Sequence, residues 1–156
     1  MTGTSLLTID RILPDLKVSN QKQAFRLITG QAALDTALDQ KWLMNRLLTR
    51  EGRSVCSGIG DGVAIPQLTT QKLNRPYTLF ARLSHMIDYN AVDSAPVDLI
   101  FLLLSPKADG PYHLQRLARI SRLLRDRNLC QSLRSARSTD TINALLAGPA
   151  SSLIAA

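Results

Sequence analysis

Hydrophobic and polar positions near the amino terminus follow the spacing of an α-helix. This helix is predicted to begin near Asn20, whose side chain can cap it together with Gln23 three residues later. It is expected to run past Leu38, with an apolar face formed by Ala24, Leu27, Ile28 and Leu38. A second helix is predicted to end by Gly52, since glycine readily takes the left-handed conformation that closes a helix. Its apolar positions are Trp42, Leu43 and Leu47.

Short apolar runs in the middle of the chain predict β-strands at 63–65, 77–83 and 97–104. The third run is apolar at nearly every position, which is typical of a strand buried on both faces. Helices must therefore cover both sides of the sheet. The rest of the chain supplies them after the KADGPY turn: a long arginine-bearing helix, a shorter one around 129–136 and a last one at 139–147. The predicted fold class is a single α/β layer structure.

The length of 156 residues and the hydrophobic content of 45% predict one soluble domain with a sizeable core. Its expected extent is 1–148, because Ser138 can cap the last helix and Gly148-Pro149 should terminate it. Residues 149–156 are predicted to form a flexible tail. The longest apolar run, 99–104, is too short to cross a bilayer, and no signal peptide is visible. A cytoplasmic location is therefore expected.

The few cysteines and histidines give no metal-binding pattern. Cys56 and Cys130 are far apart and belong to no C-x-x-C pair, and a zinc site would have to recruit both of them together with His85 and His113 from scattered positions. The cysteines are therefore interpreted as free, reduced thiols. No metal and no cofactor are predicted.

The net charge of +7 is concentrated in the carboxyl-terminal part of the chain. At helical spacing, the first four arginines of this part lie opposite Leu117, Ile120 and Leu124. Two interpretations remain open, a solvated helix face and a docking surface for an acidic partner. Nucleic-acid binding ranks below both, because no known nucleic-acid-binding motif accompanies the charge. The arginines concerned are Arg116, Arg119, Arg122, Arg125, Arg127, Arg134 and Arg137.

The segment GIGDGVAIPQ, residues 58–67, combines a glycine-rich loop with a short apolar run. It is not a P-loop, because no Lys-Ser or Lys-Thr follows the glycines, and Val63 stands where a dinucleotide-binding fingerprint needs its third glycine. It is not a nucleophile elbow either, because Val55 precedes Ser57 where that motif needs glycine. The glycines are expected to serve a tight turn and a close backbone approach.

Taken with its neighbours, this loop resembles the enzyme IIA domains of the phosphoenolpyruvate-dependent phosphotransferase system, of the mannitol/fructose type and in particular the nitrogen-regulatory branch. The resemblance spans nearly the whole chain in the expected order. It implies a mixed β-sheet flanked by helices on both faces, and a phosphoryl carrier that receives its group from a histidine-containing phosphocarrier protein. The matching stretches are LLTREG at 47–52, SGIGDGVAIP at 57–66, AVDSAPVDLIFLLLSP at 91–106, HLQRLARISRLLRD at 113–126 and CQSLRSA at 130–136.

The resemblance also identifies a departure from the family at Gln67. The family's phospho-acceptor histidine follows A-I-P directly, and here that residue is glutamine. An imidazole offers a ring-nitrogen lone pair near neutral pH, whereas the amide nitrogen is delocalised into its carbonyl and is not nucleophilic. Gln67 is therefore predicted to be unable to carry a phosphoryl group, although its volume and hydrogen bonding can preserve the shape of the site.

The resemblance carries supporting roles over to several other residues. Arg50 matches the arginine of the L-T-R-E stretch, which implies contact with phosphate or an acidic partner, although an arginine at a helix carboxyl terminus also complements the helix dipole. His113 matches the family's second histidine, at a helix start that favours an anion, although a histidine there can also be an ordinary surface residue. The glycine loop is expected to support the site through Ser57, Gly60 and Asp61.

The sequence leaves three functional hypotheses. The leading hypothesis is a non-enzymatic regulatory or adaptor protein that binds a phosphocarrier-like protein or regulatory targets such as transporters and sensor kinases. The alternative is an active phosphoryl carrier that uses His113 as its acceptor. The third is nucleic-acid binding through the arginine face.

Overall fold

A mixed β-sheet lies at the centre of the protein, whose computed structural model describes residues 8–51, 58–89 and 95–155. The strands are β1 Arg11–Leu16, β2 Gly58–Gly60, β3 Val63–Ala64, β4 Gln67–Thr70, β5 Tyr77–Ile87 and β6 Val97–Pro106. The helices are α1 Gln21–Thr36, α2 Gln40–Glu51, α3 Pro111–Leu124, α4 Arg127–Ser135 and α5 Thr139–Ala155, with a 3-10 helix at Lys107–Asp109 before α3.

The strand order is β1-β5-β6-β3-β2, and β4 pairs with β6 beyond the end of β3. β5 runs antiparallel to β6, and β2 antiparallel to β3. The pairings β1 with β5, β3 with β6 and β4 with β6 are parallel. This arrangement confirms the predicted mixed sheet and places β6 at its centre.

Every residue of β6 is buried, because the strand sends alternate side chains into two cores. Ile100, Leu102 and Leu104 pack with α1 and α2 on one face of the sheet. Leu99, Phe101 and Leu103 pack with α3, α4 and α5 on the other. The prediction of a strand buried on both faces between two layers of helices is confirmed.

The start of α1 is as predicted, and its end is not. Asn20 Oδ1 accepts from the backbone N–H of Gln23 at 2.9 Å, which confirms the predicted cap. The helix ends at Thr36, because Ala37 takes the left-handed conformation at φ 65° and the chain must turn into α2. Leu38 is buried beyond the helix, whereas Leu27 is 46% exposed and does not belong to the apolar face.

The strands depart from prediction at several places: β2 was not predicted, and β6 continues two residues beyond its predicted end. β1 was not predicted, and it tolerates Pro14 because it lies at the edge of the sheet that the described residues form, beside β5. The strand expected at 63–65 ends at Ala64, and the chain resumes as β4 after Pro66. β5 continues to Ile87, beyond the predicted end.

The last helix extends further than the sequence predicts. α5 runs to Ala155, so the predicted stop at Gly148-Pro149 is wrong. A proline removes one helical hydrogen bond, but its own φ remains compatible with a helix. Within the described residues, no helix is long and apolar enough to cross a membrane.

Candidate functional site

Gln67 opens β4 where this strand joins the sheet. It pairs with Leu103 of β6, and the carbonyl of Pro66 accepts from the N–H of Leu103 at 3.0 Å. Main-chain bonds therefore fix the position of residue 67. Its side chain is half-buried and lies toward the carboxyl end of β6, where the chain turns through the 3-10 helix into α3.

His113 meets Gln67 from the first turn of α3. Its Nε2 atom lies 2.7 Å from Gln67 Oε1, and its Nδ1 atom lies 2.8 Å from Ser105 Oγ at the end of β6. Only 6% of the residue is exposed. Both ring nitrogens of this buried imidazole are therefore hydrogen-bonded.

Arg116, one turn further along α3, completes a chain of polar contacts. Its Nη1 atom donates to Ser105 Oγ at 3.0 Å, and its Nη2 atom lies 2.6 Å from Asp109 Oδ2 as an ion pair. With the Gln67 oxygen as acceptor, His113 carries its proton on Nε2, and Nδ1 accepts from the Ser105 hydroxyl. Arg116 is thus drawn into the site, although its helix position predicted an outward direction.

The surroundings of His113 favour its neutral form. Burial lowers the pKa of His113 below its ordinary value of 6.5, the charges of Arg116 and Arg50 lower it further, and only Asp109 opposes them. Arg50 is exposed in the last turn of α2, and its charge acts on the imidazole less strongly than that of Arg116. Gln67 and His113 are in direct contact, and the positive charges of Arg116 and Arg50 act on this imidazole.

The glycine turn lies at the other end of the β3–β6 pairing. Asp61 and Gly62 precede β3, and the carbonyl of Gly62 accepts from the N–H groups of Asp98 and Leu99 at the start of β6. Gly60, at φ 105°, belongs to the same turn. Four residues of chain separate Gly62 from Gln67, so Gly60 and Asp61 lie at the opposite end of this segment from the candidate site. The predicted supporting residue Ser57 lies outside the described residues.

An ion pair that was not predicted from the sequence holds this turn in place. Arg134 of α4 makes three hydrogen bonds to the Asp98 carboxylate, at 2.8 to 3.0 Å, and donates to the carbonyl of Asp61 at 3.1 Å. A Cβ at Gly62 would lie 2.5 Å from Arg134 Nη2. The signal available in the sequence was the lone acidic residue within the apolar run of β6, since a buried carboxylate requires a partner.

The site has the chemistry of anion and hydrogen-bond recognition. An amide and a serine hydroxyl contact a neutral imidazole, Arg116 contacts the same serine, and position 67 bears no nucleophile. Among the described residues, no group of three or more histidine, cysteine, aspartate or glutamate side chains is placed to hold a metal ion. Ser105 was missed because nothing in the sequence shows that the end of β6 meets His113, and Arg116, one helical turn after His113, was assigned to the outer face of α3.

Comparison with known proteins agrees with this architecture. The family model described as "Phosphoenolpyruvate-dependent sugar phosphotransferase system, EIIA 2" matches residues 5–148. The chain belongs to this family. A nitrogen regulatory protein of Bradyrhizobium diazoefficiens is 42% identical over 149 residues, which cover 96% of this chain and 97% of that protein. The predicted nitrogen-regulatory branch of the enzyme IIA family is therefore confirmed.

Solved structures confirm the fold. The crystal structure of the nitrogen regulatory protein IIA-Ntr from Neisseria meningitidis superposes with a TM-score of 0.81 at 26% identity, covering 87% of this chain and 92% of that one. Enzyme IIA-mannitol of Escherichia coli, solved in complex with phosphorylated enzyme IIB-mannitol, gives a TM-score of 0.74 at 17% identity, covering 92% and 98%. The second comparison supports the fold alone.

Proposed function

We propose that this enzyme IIA-family protein is a regulatory adaptor that binds protein partners and carries no phosphoryl group at position 67. One observation carries the proposal: an amide occupies the contact position beside His113, with Gln67 Oε1 at 2.7 Å from Nε2. The amide supplies a hydrogen bond in place of a nucleophile. The Gln67 amide can preserve the shape of an enzyme IIA site, but it cannot accept a phosphoryl group.

The geometry of His113 argues against its use as an alternative acceptor. Attack on a phosphoryl donor needs an accessible ring-nitrogen lone pair, and here the nitrogen without a proton accepts from Ser105. The other nitrogen faces Gln67, and the residue is 94% buried. An incoming phosphocarrier would first have to displace both contacts.

Without an acceptor at position 67, the protein has a single signalling form, the unphosphorylated one. A phosphoryl group adds nearly two negative charges at neutral pH, whereas the amide of Gln67 is neutral. The protein would therefore resemble an unphosphorylated relative permanently, and its partners would bind independently of the supply of phosphoenolpyruvate. A partner of the phosphotransferase system is compatible with this role, since the mannitol homologue was solved in complex with an enzyme IIB.

Incubation with phosphoenolpyruvate, enzyme I and the phosphocarrier protein, followed by intact-mass measurement, tests the proposal. We expect no added phosphate mass on this chain while the phosphocarrier in the same mixture becomes phosphorylated. An acid-labile phosphate adduct that disappears in His113→Ala would overturn the proposal and establish His113 as the acceptor. An adduct that persists in His113→Ala would also overturn it, with the acceptor elsewhere.

A further inference from the structure

The outer face of α3 carries arginines without acidic partners. Arg119, Arg122 and Arg125 form no ion pair within the part of the chain that the structure describes. The sequence of α3 contains no aspartate or glutamate that could pair with them. Several other arginines do meet carboxylates, namely Arg11, Arg82, Arg116 and Arg134. Three arginines without a carboxylate partner among the described residues therefore lie along α3 and at its C-cap.

Large apolar side chains are exposed on the same helix, next to the candidate site. Tyr112 is 58% exposed and Leu114 is 65% exposed, on either side of the buried His113. One exposed row runs along the helix from this apolar end to its arginine end, at spacings of four, four and three residues. Its members are Leu114, Ala118, Arg122 and Arg125.

We infer that this α3 surface, consisting of Tyr112, Leu114, Arg119, Arg122 and Arg125, binds an acidic protein surface that presents an apolar side chain. Tyrosine and arginine are among the residue types most enriched at the energetic centres of protein interfaces. Carboxylates of a partner would complement the free guanidinium groups, and a partner's apolar side chain would cover Leu114. The inference rests on the proposed adaptor function and specifies the chemistry of its partner.

The composition of this surface favours a protein over a nucleic acid. Phosphate groups would satisfy the arginines, but they would leave Leu114 and Ala118 facing water or charge. An acidic protein surface satisfies both ends of the row at once. A partner seated on Tyr112 and Leu114 also lies beside the Gln67–His113 pair, which connects recognition to the chemical state of residue 67.

A fluorescein-labelled helical peptide with two leucines on one face, flanked by glutamates, serves as the probe. Fluorescence anisotropy at low salt is expected to detect binding that weakens as salt is added. Replacing Arg122 and Arg125 together by glutamine should weaken it about tenfold, and Leu114→Ser should weaken it severalfold. The same peptide with glutamine in place of glutamate should bind at least about tenfold more weakly.

Two variants on α1 serve as matched controls for the loss of an arginine charge and the loss of an exposed leucine outside the α3 surface. Arg26→Gln removes an exposed arginine, and Leu34→Ser removes a leucine that is 81% exposed. Both should leave binding within about twofold. Equal losses in the control and α3 variants would overturn the inference, as would an unchanged affinity in Leu114→Ser or tighter binding to duplex DNA than to the peptide. The peptide-binding assay contains no phosphoenolpyruvate, so its result does not depend on phosphorylation. A phosphoryl adduct in the earlier experiment would overturn the proposed function but not the binding result.

Discussion

The amide oxygen of Gln67 and the Nε2 atom of His113 lie 2.7 Å apart, although the two residues are separated by 46 positions in the chain. In a phosphorylated relative, the imidazole at this position could donate a hydrogen bond to the phosphoryl group. Here His113 donates instead to the neutral amide of Gln67. Burial, Arg116 and Arg50 all lower the pKa of that imidazole. The pair therefore forms an electrically neutral contact in positive surroundings.

Gln67→His is expected to restore slow phosphorylation, because it places an imidazole beside His113 at the first residue of β4. The measurement is intact mass after incubation with phosphoenolpyruvate, enzyme I and the phosphocarrier, with loss of the adduct in acid as the mark of phosphohistidine. Gln71→His, at an exposed turn position after β4, makes the same replacement outside the site and should give no adduct. A folded Gln67→His protein without an adduct would show that the pocket has also lost its ability to accept the donor.

Gln67→Glu is expected to raise the pKa of His113, because a carboxylate would replace the amide oxygen 2.7 Å from Nε2 and stabilise the imidazolium. Titration of the imidazole protons by nuclear magnetic resonance measures the change. Gln71→Glu adds the same net charge at an exposed position and should leave the titration of His113 nearly unchanged. Equal titration curves in the two variants would mean that residue 67 does not contact His113 in solution.

Acidification should destabilise the protein through His113. Its pKa in the folded state lies below the ordinary value of 6.5, so the unfolded chain binds the proton more readily. The free energy of unfolding should therefore be highest above pH 6.5 and fall as the pH is lowered through that value. His113→Asn should remove much of this loss, whereas His85→Asn, at an exposed position, should retain it. Chemical denaturation at several pH values provides the comparison.

A second loss of stability is expected in stronger acid, through Asp35. The pKa of this carboxyl is lowered to about 2, above all by the hydrogen bonds from Arg11 and also by those from Tyr77 and Gln31. Its contribution is present above the ordinary value of 3.8 and is lost as the pH falls toward 2. Asp35→Asn should flatten the stability profile in this interval. Asp15→Asn, whose side chain is 72% exposed, should not.

Arg134→Ala should lower the free energy of unfolding by about 2–3 kcal/mol, because it leaves the largely buried Asp98 carboxylate without its partner. Arg127→Ala, which removes a side chain that is 83% exposed and 3.6 Å from Asp61, should change it by less than about 0.5 kcal/mol. Urea denaturation at neutral pH measures both. Similar values for the two variants would show that the Asp98 contact contributes little.

Gly62→Ala tests the same ion pair from the opposite side. It is expected to destabilise the fold, because residue 62 has φ of 82° and the new Cβ would lie 2.5 Å from Arg134 Nη2. Part of the cost should vanish when Arg134 is already alanine, since the obstructing guanidinium is then absent. The two losses should therefore be less than additive in a double-mutant cycle. Full additivity would indicate that only backbone strain opposes a side chain at residue 62.

Local patterns predicted the features that local chemistry determines. The cap at Asn20 depends on a side chain three residues from its donor, and the burial of β6 depends on an unbroken apolar run. β1 was missed because it is short, contains Pro14 and exists only through its pairing with β5. Such a strand depends on tertiary contacts more than on its own propensity.

The site shows a similar division. The resemblance identified Gln67, His113 and Arg50, whereas Ser105 and Arg116 emerged only from the structure. Arg116 lies one turn after His113 on α3, but helical spacing does not determine where its long side chain ends. Here the guanidinium folds back to Asp109 and Ser105, because a carboxylate and a hydroxyl are within its reach.

The main-chain bond between Leu103 and Pro66 fixes the place of residue 67 whatever side chain it bears. The side chain itself is half-buried at the edge of the site and fills no part of either hydrophobic core. Exchanging it thus requires no repacking. Because the codons for histidine and glutamine differ only in their third nucleotide, a lineage can lose an acceptor at this position, or regain one, by a single point mutation. Carrier and non-carrier forms would be immediate evolutionary neighbours on one unchanged scaffold.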